Sequence, residues 1–149
     1  MDSYDWKILK LIQINANLTN QEIGNIIGLS PSQCSRRKKN LEDLGIIEGY
    51  CARINNESTG FNIRATLHVS LKNHDEKSKE SFKKFIDIDS NIQDAYSISG
   101  DSDFMLTVIV ENLDKLYKFI TNNLLSIECI SQVKTYVILK KHKEFHKVY

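Results

Sequence analysis

The sequence predicts an α+β protein in two parts, a helix-turn-helix unit of winged-helix-like kind followed by a ferredoxin-like βαββαβ unit. Three observations predict it. Apolar residues recur at helical spacing from Tyr4 to Leu44, and from Arg64 onward they alternate or run continuously as strands do. Across residues 45–63 neither pattern holds, as expected of a connector. The predicted organisation is a helix-turn-helix domain over residues 1–48, a connecting strand or linker over 49–63, and a ferredoxin-like domain over 64–149.

The first helix is opened by Asp2 or Ser3 as N-cap, carries Trp6, Leu9 and Ile12 with Ile8 as its apolar stripe, and ends near Asn15. The second starts at Thr19, where the stretch TNQE forms a capping box: the Thr19 hydroxyl meets the Glu22 N–H while the Glu22 carboxylate reaches back. Ile23, Ile26 and Ile27 are expected to face inward. Gly28 supplies a left-handed stop, and Ser30-Pro31 restarts a helix at once, with Ser30 as N-cap, Pro31 at the first position and Gln33 at the third. Two helices so closely joined are either a simple αα-hairpin or the DNA-reading helix-turn-helix.

The composition of the third helix, SPSQCSRRKKNLEDLG, favours DNA. At about 100° per residue Cys34, Leu41 and Leu44 fall on one side, while Ser32, Ser35, Arg36, Lys39 and Asp43 fall on the other. Short polar residues at the helix start, Ser30, Ser32, Gln33 and Ser35, permit close approach to a groove. Arg36 can fork onto a guanine edge and Lys39 can neutralise a phosphate; the plainer alternative is that both are solvated charges. Four consecutive cations, Arg36 to Lys39, cannot all face outward. Arg37 is therefore expected to be buried at its base and paired with Asp5 or Glu22.

Composition limits how such a protein could work. The 149 residues are 41% hydrophobic and 26% charged, with one Pro and six Gly, as in an ordinary globular chain. Twenty Lys and Arg against nineteen Asp and Glu leave a net charge of +1, which excludes coating nucleic acid by bulk charge. Residues 1–60 hold seven cations and seven acids, so one copy should bind DNA weakly and two copies related by a dimer axis much better. No apolar run approaches a bilayer span, and the start MDSYDWK does not look like a signal peptide, so a cytoplasmic protein without a membrane role is expected. Cys34, Cys51 and Cys129 are odd in number and widely spaced, which reads as reduced thiols.

In the second half RATLHVSLK, residues 64–72, alternates as a strand with Ala65, Leu67, Val69 and Leu71 on its buried face. A helix from about Asp75 to Asp87 carries Phe82, Phe85 and Ile86. IQDAYSI is a second strand, GDSD a turn, and FMLTVIV, residues 104–110, a strand apolar on both faces. Asn112 caps a further helix whose inner stripe reads Leu113, Leu116, Tyr117, Ile120 and Leu124. The last strand is QVKTYVILKK. Both helices of a ferredoxin-like unit cover one sheet face. The other face, with His68, Met105, Thr107, Ile109, Tyr136 and Ile138, is expected to be buried by a second subunit.

The start D-x-x-x-L from Asp5 to Leu9, then QEIGNIIGLSPSQCSRRKKNLEDLGIIEGY, then SGDSDFMLTV and TYVILKK resemble the Lrp/AsnC family of feast/famine transcriptional regulators over nearly the whole chain. Residues 29–50 carry the most specific likeness, and GDSDF is similar to the family's Gly-x-x-Asp loop. Lys38 and Asn40 depart from it, standing where the family usually has an apolar residue and a cation. The resemblance implies a sequence-specific double-stranded DNA-binding regulator that is not an enzyme, that forms a homodimer or a tetramer of dimers, and that uses no cofactor beyond a small amino-acid effector. It further implies an effector pocket between dimers, lined by Ser99, Gly100, Asp101 and Asp103, with Asp103 accepting from the ligand's ammonium and Tyr136, Val137 and Ile138 shaping the side-chain end. Read without it, Asp101 and Asp103 are turn residues of a tight hairpin.

Two other classes remain as alternatives. One is a small-molecule or metal-binding sensor that does not touch DNA, with His142 and His146 at i, i+4 as metal ligands if the tail is helical. The other is an enzyme, for which the sequence offers no nucleophile and base pair, phosphate-binding glycine loop or metal motif.

Overall fold

The computed structural model describes residues 1–142, and its chain forms two compact units, residues 1–53 and 54–141.

The first unit contains α1 (Ser3–Ile14), α2 (Asn20–Ile27) and α3 (Pro31–Asp43). Each begins with a reciprocal capping box: Asp2 with Asp5, Thr19 with Glu22, and Ser30 with Gln33. Their core is Ile8, Leu9, Ile12, Ile23, Cys34 and Leu41, flanked by Leu11, Leu18, Ile27, Leu29 and Ile47. Three inward assignments are corrected. Trp6 lies at the surface and Asp5 takes its place in the stripe with Ile8, Leu9 and Ile12, because Arg37 reaches into the core to meet the Asp5 carboxylate. Ile26 is exposed: buried Gly24 draws the contact face of α2 toward Ile23 and Ile27, which leaves Ile26 on the outside. Leu44 is exposed as well, since α3 stops at Asp43, Gly45 turns the chain with φ 68°, and Ile47 folds back against the core instead.

Gly24 sets the distance between α2 and α3. Its carbonyl accepts from the N–H groups of Gly28 (2.8 Å) and Leu29 (3.1 Å), and a Cβ at this position would collide with the Leu29 carbonyl oxygen. Gly28 itself ends α2 in the left-handed region at φ 78°.

No strand forms over residues 45–62; the expected connecting strand is replaced by irregular backbone and a short 3₁₀ turn, Glu57–Thr59, ended by Gly60. An extended segment needs a neighbouring strand for its N–H and C=O groups, and among the described residues no strand pairs with it.

The second unit runs β1 (Ile63–Leu71), α4 (Glu76–Ile88), β2 (Ile92–Ser97), β3 (Phe104–Val110), α5 (Leu113–Lys118) and β4 (Ile130–Val137). The sheet is antiparallel in the order β2-β3-β1-β4, the ferredoxin-like arrangement. Ala65, Leu67, Val69, Leu71, Leu106, Val108 and Val110 pack against Phe82, Leu116, Phe119 and Leu124 from the helices. The ring of Phe82 sits 4.8 Å from that of Phe104, joining α4 to β3.

Two segments depart from the expected pattern. After α5 the helix widens into a π turn over Phe119–Leu124, closed by the Leu125 N–H on the Ile120 carbonyl at 2.8 Å. The wider turn changes the angular step per residue, so Phe119 joins Leu116 and Leu124 in the core while Leu113 and Tyr117 point to solvent. The last strand starts two residues earlier than expected and ends at Val137, because its partner β1 begins at Ile63; only Ile138 N–H still reaches the Arg64 carbonyl, at 2.9 Å.

The sheet face turned away from the helices carries the row Tyr96, Met105, His68, Lys134 and beside it Asp94, Thr107, Thr66, Tyr136. Tyr96 and Tyr136 are half exposed, and Tyr136 meets His68 edge-on at 5.1 Å. Ile109 is already buried within the single chain, flanked by the Arg64–Gln93 hydrogen bond of 3.1 Å, and so is not part of the bare surface expected there.

Candidate DNA-reading helix and effector loop

In α3 the side chains of Ser32, Ser35, Arg36 and Lys39 all lie on the exposed face, as the 100° spacing requires. Ser30 and Gln33 are used differently. The Ser30 hydroxyl oxygen accepts from the Gln33 N–H at 3.3 Å, and the Gln33 side-chain oxygen accepts from the Ser30 N–H at 2.9 Å. Their polar atoms build the cap, which leaves the Gln33 amide nitrogen as the group of that pair available to a base or phosphate.

Arg37 fixes the rotation of α3. Its Nη1 donates to Asp5 Oδ1 at 2.8 Å and lies 2.8 Å from Asp2 Oδ2, and its guanidinium stands 5.5 Å from the Tyr4 ring centroid. Asp5 is thus the partner and Glu22 is not; the Glu22 carboxylate accepts from the Thr19 N–H and hydroxyl instead. Hydrogen bonds to Asp5 and then to Asp2 raise the guanidinium pKa further above its ordinary range. The Asp2 carboxyl is held below the usual carboxylate range, first by the Asp5 backbone N–H and then by Arg37. With Arg37 directed at the N-terminus of α1, the adjacent Arg36 is turned outward.

Lys38 and Tyr50 were not anticipated as a pair. Lys38 Nζ sits 5.4 Å over the Tyr50 ring, and the Tyr50 hydroxyl donates to Glu42 at 2.8 Å, so the segment after α3 is clipped back onto the helix. Burial and the Glu42 carboxylate push the Tyr50 hydroxyl up to about 12. A Lys at an otherwise apolar helix position, followed by an aromatic residue twelve positions on, was the only signal in the sequence.

The second set of residues surrounds the loop between β2 and β3. Ser99, Gly100 and Asp101 are exposed, and Gly100 adopts φ 131°, a conformation open to glycine. The Asp103 N–H donates to the Val69 carbonyl at 3.0 Å, and the Asp103 carboxylate accepts from the Leu71 N–H at 2.8 Å. His74 Nδ1 lies 3.5 Å from the other carboxylate oxygen. Asp103 therefore pins the loop to the end of β1, and one of its oxygens is committed to the Leu71 N–H. Ser102, outside the expected effector set, is buried with no partner for its hydroxyl.

Tyr136, Val137 and Ile138 are exposed at the other end of the sheet. Val137 pairs with Ala65 and Tyr136 with Thr66, whereas the loop is tied to Val69 and Leu71. Three to six residues of strand, roughly 10–20 Å, separate the two halves. Within one chain the structure does not bring them together.

The residues and geometry match a known group of proteins. A family model described as the Lrp/AsnC ligand binding domain matches residues 64–148, and one for a winged helix-turn-helix DNA-binding domain matches residues 1–48. The chain belongs to the Lrp/AsnC family. A leucine-responsive regulatory protein of Rhizobium meliloti is 31% identical over 97% of this chain and 92% of its own length. A transcriptional regulator of Neisseria meningitidis, solved in complex with L-Met, superposes with a TM-score of 0.93 at 30% identity, covering 97% of this chain and 93% of that one. LrpC of Bacillus subtilis superposes with a TM-score of 0.85 at 28% identity, covering 96% and 97% of the two chains. This member of the Lrp/AsnC family is a DNA-binding transcriptional regulator with a helix-turn-helix and a ligand-binding domain, and its relatives are regulators rather than enzymes.

The metal alternative gains no support from the site. Among the described residues no group of three His, Cys, Asp or Glu side chains could hold an ion, and the His142–His146 pair extends outside the described residues. No helix among them is long and apolar enough to cross a membrane.

Proposed function

We propose that this regulator reads a two-fold related DNA site with Ser32, Ser35, Arg36 and Lys39 of paired α3 helices, and that a small amino acid adjusts its assembly. It acts in the cytoplasm, where DNA and free amino acids meet. The observation that carries the reading is the separation of the two effector half-sites. Ser99 to Asp103 lie at one end of β1 and Tyr136 to Ile138 at the other, so a pocket using both needs loop and strand from different copies. A ligand bound there favours the assembly that completes it, which is the differential affinity any population shift requires.

The half-exposed Tyr96 beside Met105 and the half-exposed Tyr136 beside His68 support a second copy against the open sheet face. The near-zero charge balance supports pairing too, since each helix contributes few phosphate contacts and affinity must come from linked copies. A ligand of the amino-acid class is supported by the Neisseria meningitidis relative, which was solved with L-Met.

The test combines DNA binding with mass measurement. Purified protein should bind its own upstream DNA with a steep salt dependence, and Leu, Met or another small amino acid should change both the binding and the assembly mass. Binding that no amino acid alters, at constant mass, would remove the effector half of the proposal.

A further inference from the structure

Lys38 has two places to put its charge. Its Nζ stands 5.4 Å over the Tyr50 ring, and the Tyr50 hydroxyl in turn donates to Glu42 Oε1 at 2.8 Å. The same lysine lines a cleft between the start of α2 and α3, together with Asn20, Ser35, Lys39, Glu42 and Asp43. Asn20 has a buried side-chain oxygen with no hydrogen-bond partner. A buried acceptor left empty is costly, and an ammonium carries three donors with which to fill it. Glu42 follows Lys38 by four residues, the spacing at which an acid and a lysine pair on a helix, yet its carboxylate is taken by Tyr50. Tyr50 therefore stands between the cation and the acid and engages both.

We propose that Tyr50 is a latch on a phosphate contact: DNA draws the Lys38 ammonium off the Tyr50 ring and into the cleft, where it donates to Asn20 Oδ1 and to a backbone phosphate. This rests on the DNA-facing assignment of Ser35 and Lys39 above, since both share the cleft with Lys38. A cation over a half-exposed ring is held weakly, whereas a phosphate oxygen accepts a charge-assisted hydrogen bond, so the exchange runs toward the phosphate. Giving up Lys38 removes one of the two side-chain contacts that clip Tyr50 to α3. Contact with DNA thereby loosens the segment that leads away from the helix. By linkage, anything that pulls Tyr50 from α3 changes the affinity for DNA by the same factor.

The test uses the full-length protein carrying Glu42→Gln, which keeps an acceptor for the Tyr50 hydroxyl and removes the negative charge beside Lys38. Fluorescence anisotropy with a duplex of its own upstream DNA is run over a salt series, with circular dichroism as the control for folding. Lys38→Met should weaken binding and lower the salt slope by about one for each bound α3 helix. Tyr50→Leu should tighten binding about two- to fivefold per helix at the same slope, because the ring no longer competes for the ammonium. Tyr50→Phe keeps the ring and should give less than half of that gain. Asn20→Ala should weaken binding only where Lys38 is present. An unchanged slope in Lys38→Met would overturn the phosphate contact. A Tyr50→Leu protein that binds no tighter, or that gains equally when combined with Lys38→Met, would overturn the latch. No loss in Asn20→Ala, or the same loss without Lys38, would overturn the shared seat. A wild type that binds no duplex even at low salt would overturn both this proposal and the DNA-facing assignment beneath it.

Discussion

Arg37 Nη1 lies 2.8 Å from Asp5 Oδ1, joining α3 to the start of α1. The Asp5 side chain keeps 12% of its exposure and that of Arg37 27%, so the pair is shielded more than a surface ion pair and its loss leaves a carboxylate in the core. Arg36, one residue earlier, is exposed. Adjacent arginines thus have opposite duties, one holding the helix and the other presented by it.

Substituting each in turn should separate those duties. Arg37→Ala should lower the urea midpoint of the helical unit, whereas Arg36→Ala should leave it unchanged and weaken specific DNA binding by about 1–3 kcal/mol. Chemical unfolding and fluorescence anisotropy on both variants check this. Equal midpoints for the two would mean that the Arg37 pair adds nothing to the fold.

Gly24→Ala should destabilise the same unit by about 1–3 kcal/mol, although Ala is the better helix former. The added Cβ meets the Leu29 carbonyl oxygen, which is backbone and cannot rotate away, so α2 and α3 must move apart. Urea unfolding would show it, with circular dichroism reporting whether helix content survives. A neutral or stabilising effect would show that the turn can relax.

These two residues mark how far the sequence was legible. Capping boxes at Thr19 and Ser30, the glycine stop at Gly28 and the alternation from Arg64 were readable because each is a local rule acting over a few residues. The misassigned positions, Trp6, Ile26, Leu44, Leu113 and Tyr117, are apolar residues whose exposure depends on which arc of a helix meets its neighbour. That arc is chosen by Gly24, by the charged Asp5 and by a π turn, none of which hydrophobic spacing weighs. In the candidate site the outward face of α3 was legible for the same local reason. Asp2 as the second partner of Arg37, the clip from Tyr50 to Glu42 and the unpaired Ser102 hydroxyl were not, since they arise from long-range approach.

Acid should loosen the helix starts of both units. Glu22 is held below its ordinary 4.5 first by the Thr19 backbone N–H, and Asp75 below its ordinary 3.8 first by the Ser78 backbone N–H. A carboxylate whose folded pKa is depressed adds stability above its unfolded value and loses it as the pH falls toward the folded one. Unfolding midpoints should therefore drop on acidification below those ordinary values. Asp75→Asn keeps an N-cap acceptor and removes the titration, so its contribution to the acid slope should vanish with little change at neutral pH. An unaltered slope in Asp75→Asn together with Glu22→Gln would place the acid lability elsewhere.

Base should act on the helical unit through Tyr50. Its hydroxyl is pushed up to about 12 from an ordinary 10.0, by burial and then by the Glu42 carboxylate it donates to. A group with a raised folded pKa adds stability below its unfolded value and loses it as pH rises through the folded one, so the helical unit should weaken between those two values. Ultraviolet titration of tyrosinate should show one late-ionising residue absent from Tyr50→Phe, and the alkaline loss of stability should flatten in that variant. A Tyr50→Phe titration identical to the wild type would remove the clip from the account of this unit.

The open sheet face yields the last prediction. Tyr96 is half exposed beside Met105, on the face opposite the helices and outside the effector set. A carboxylate introduced there costs the isolated chain little, because the side chain already meets water. Against a second copy it would be stripped of water with its symmetry mate nearby, and unpaired or like charges at an interface cost several kcal/mol. Tyr96→Asp should therefore fold normally yet raise the dissociation constant of the assembly at least about a hundredfold. Sedimentation over a concentration series measures this, with circular dichroism as the control for folding. DNA affinity should fall in parallel, since separated copies lose the linkage between their α3 helices; intact assembly in Tyr96→Asp would move the contact between copies to another surface.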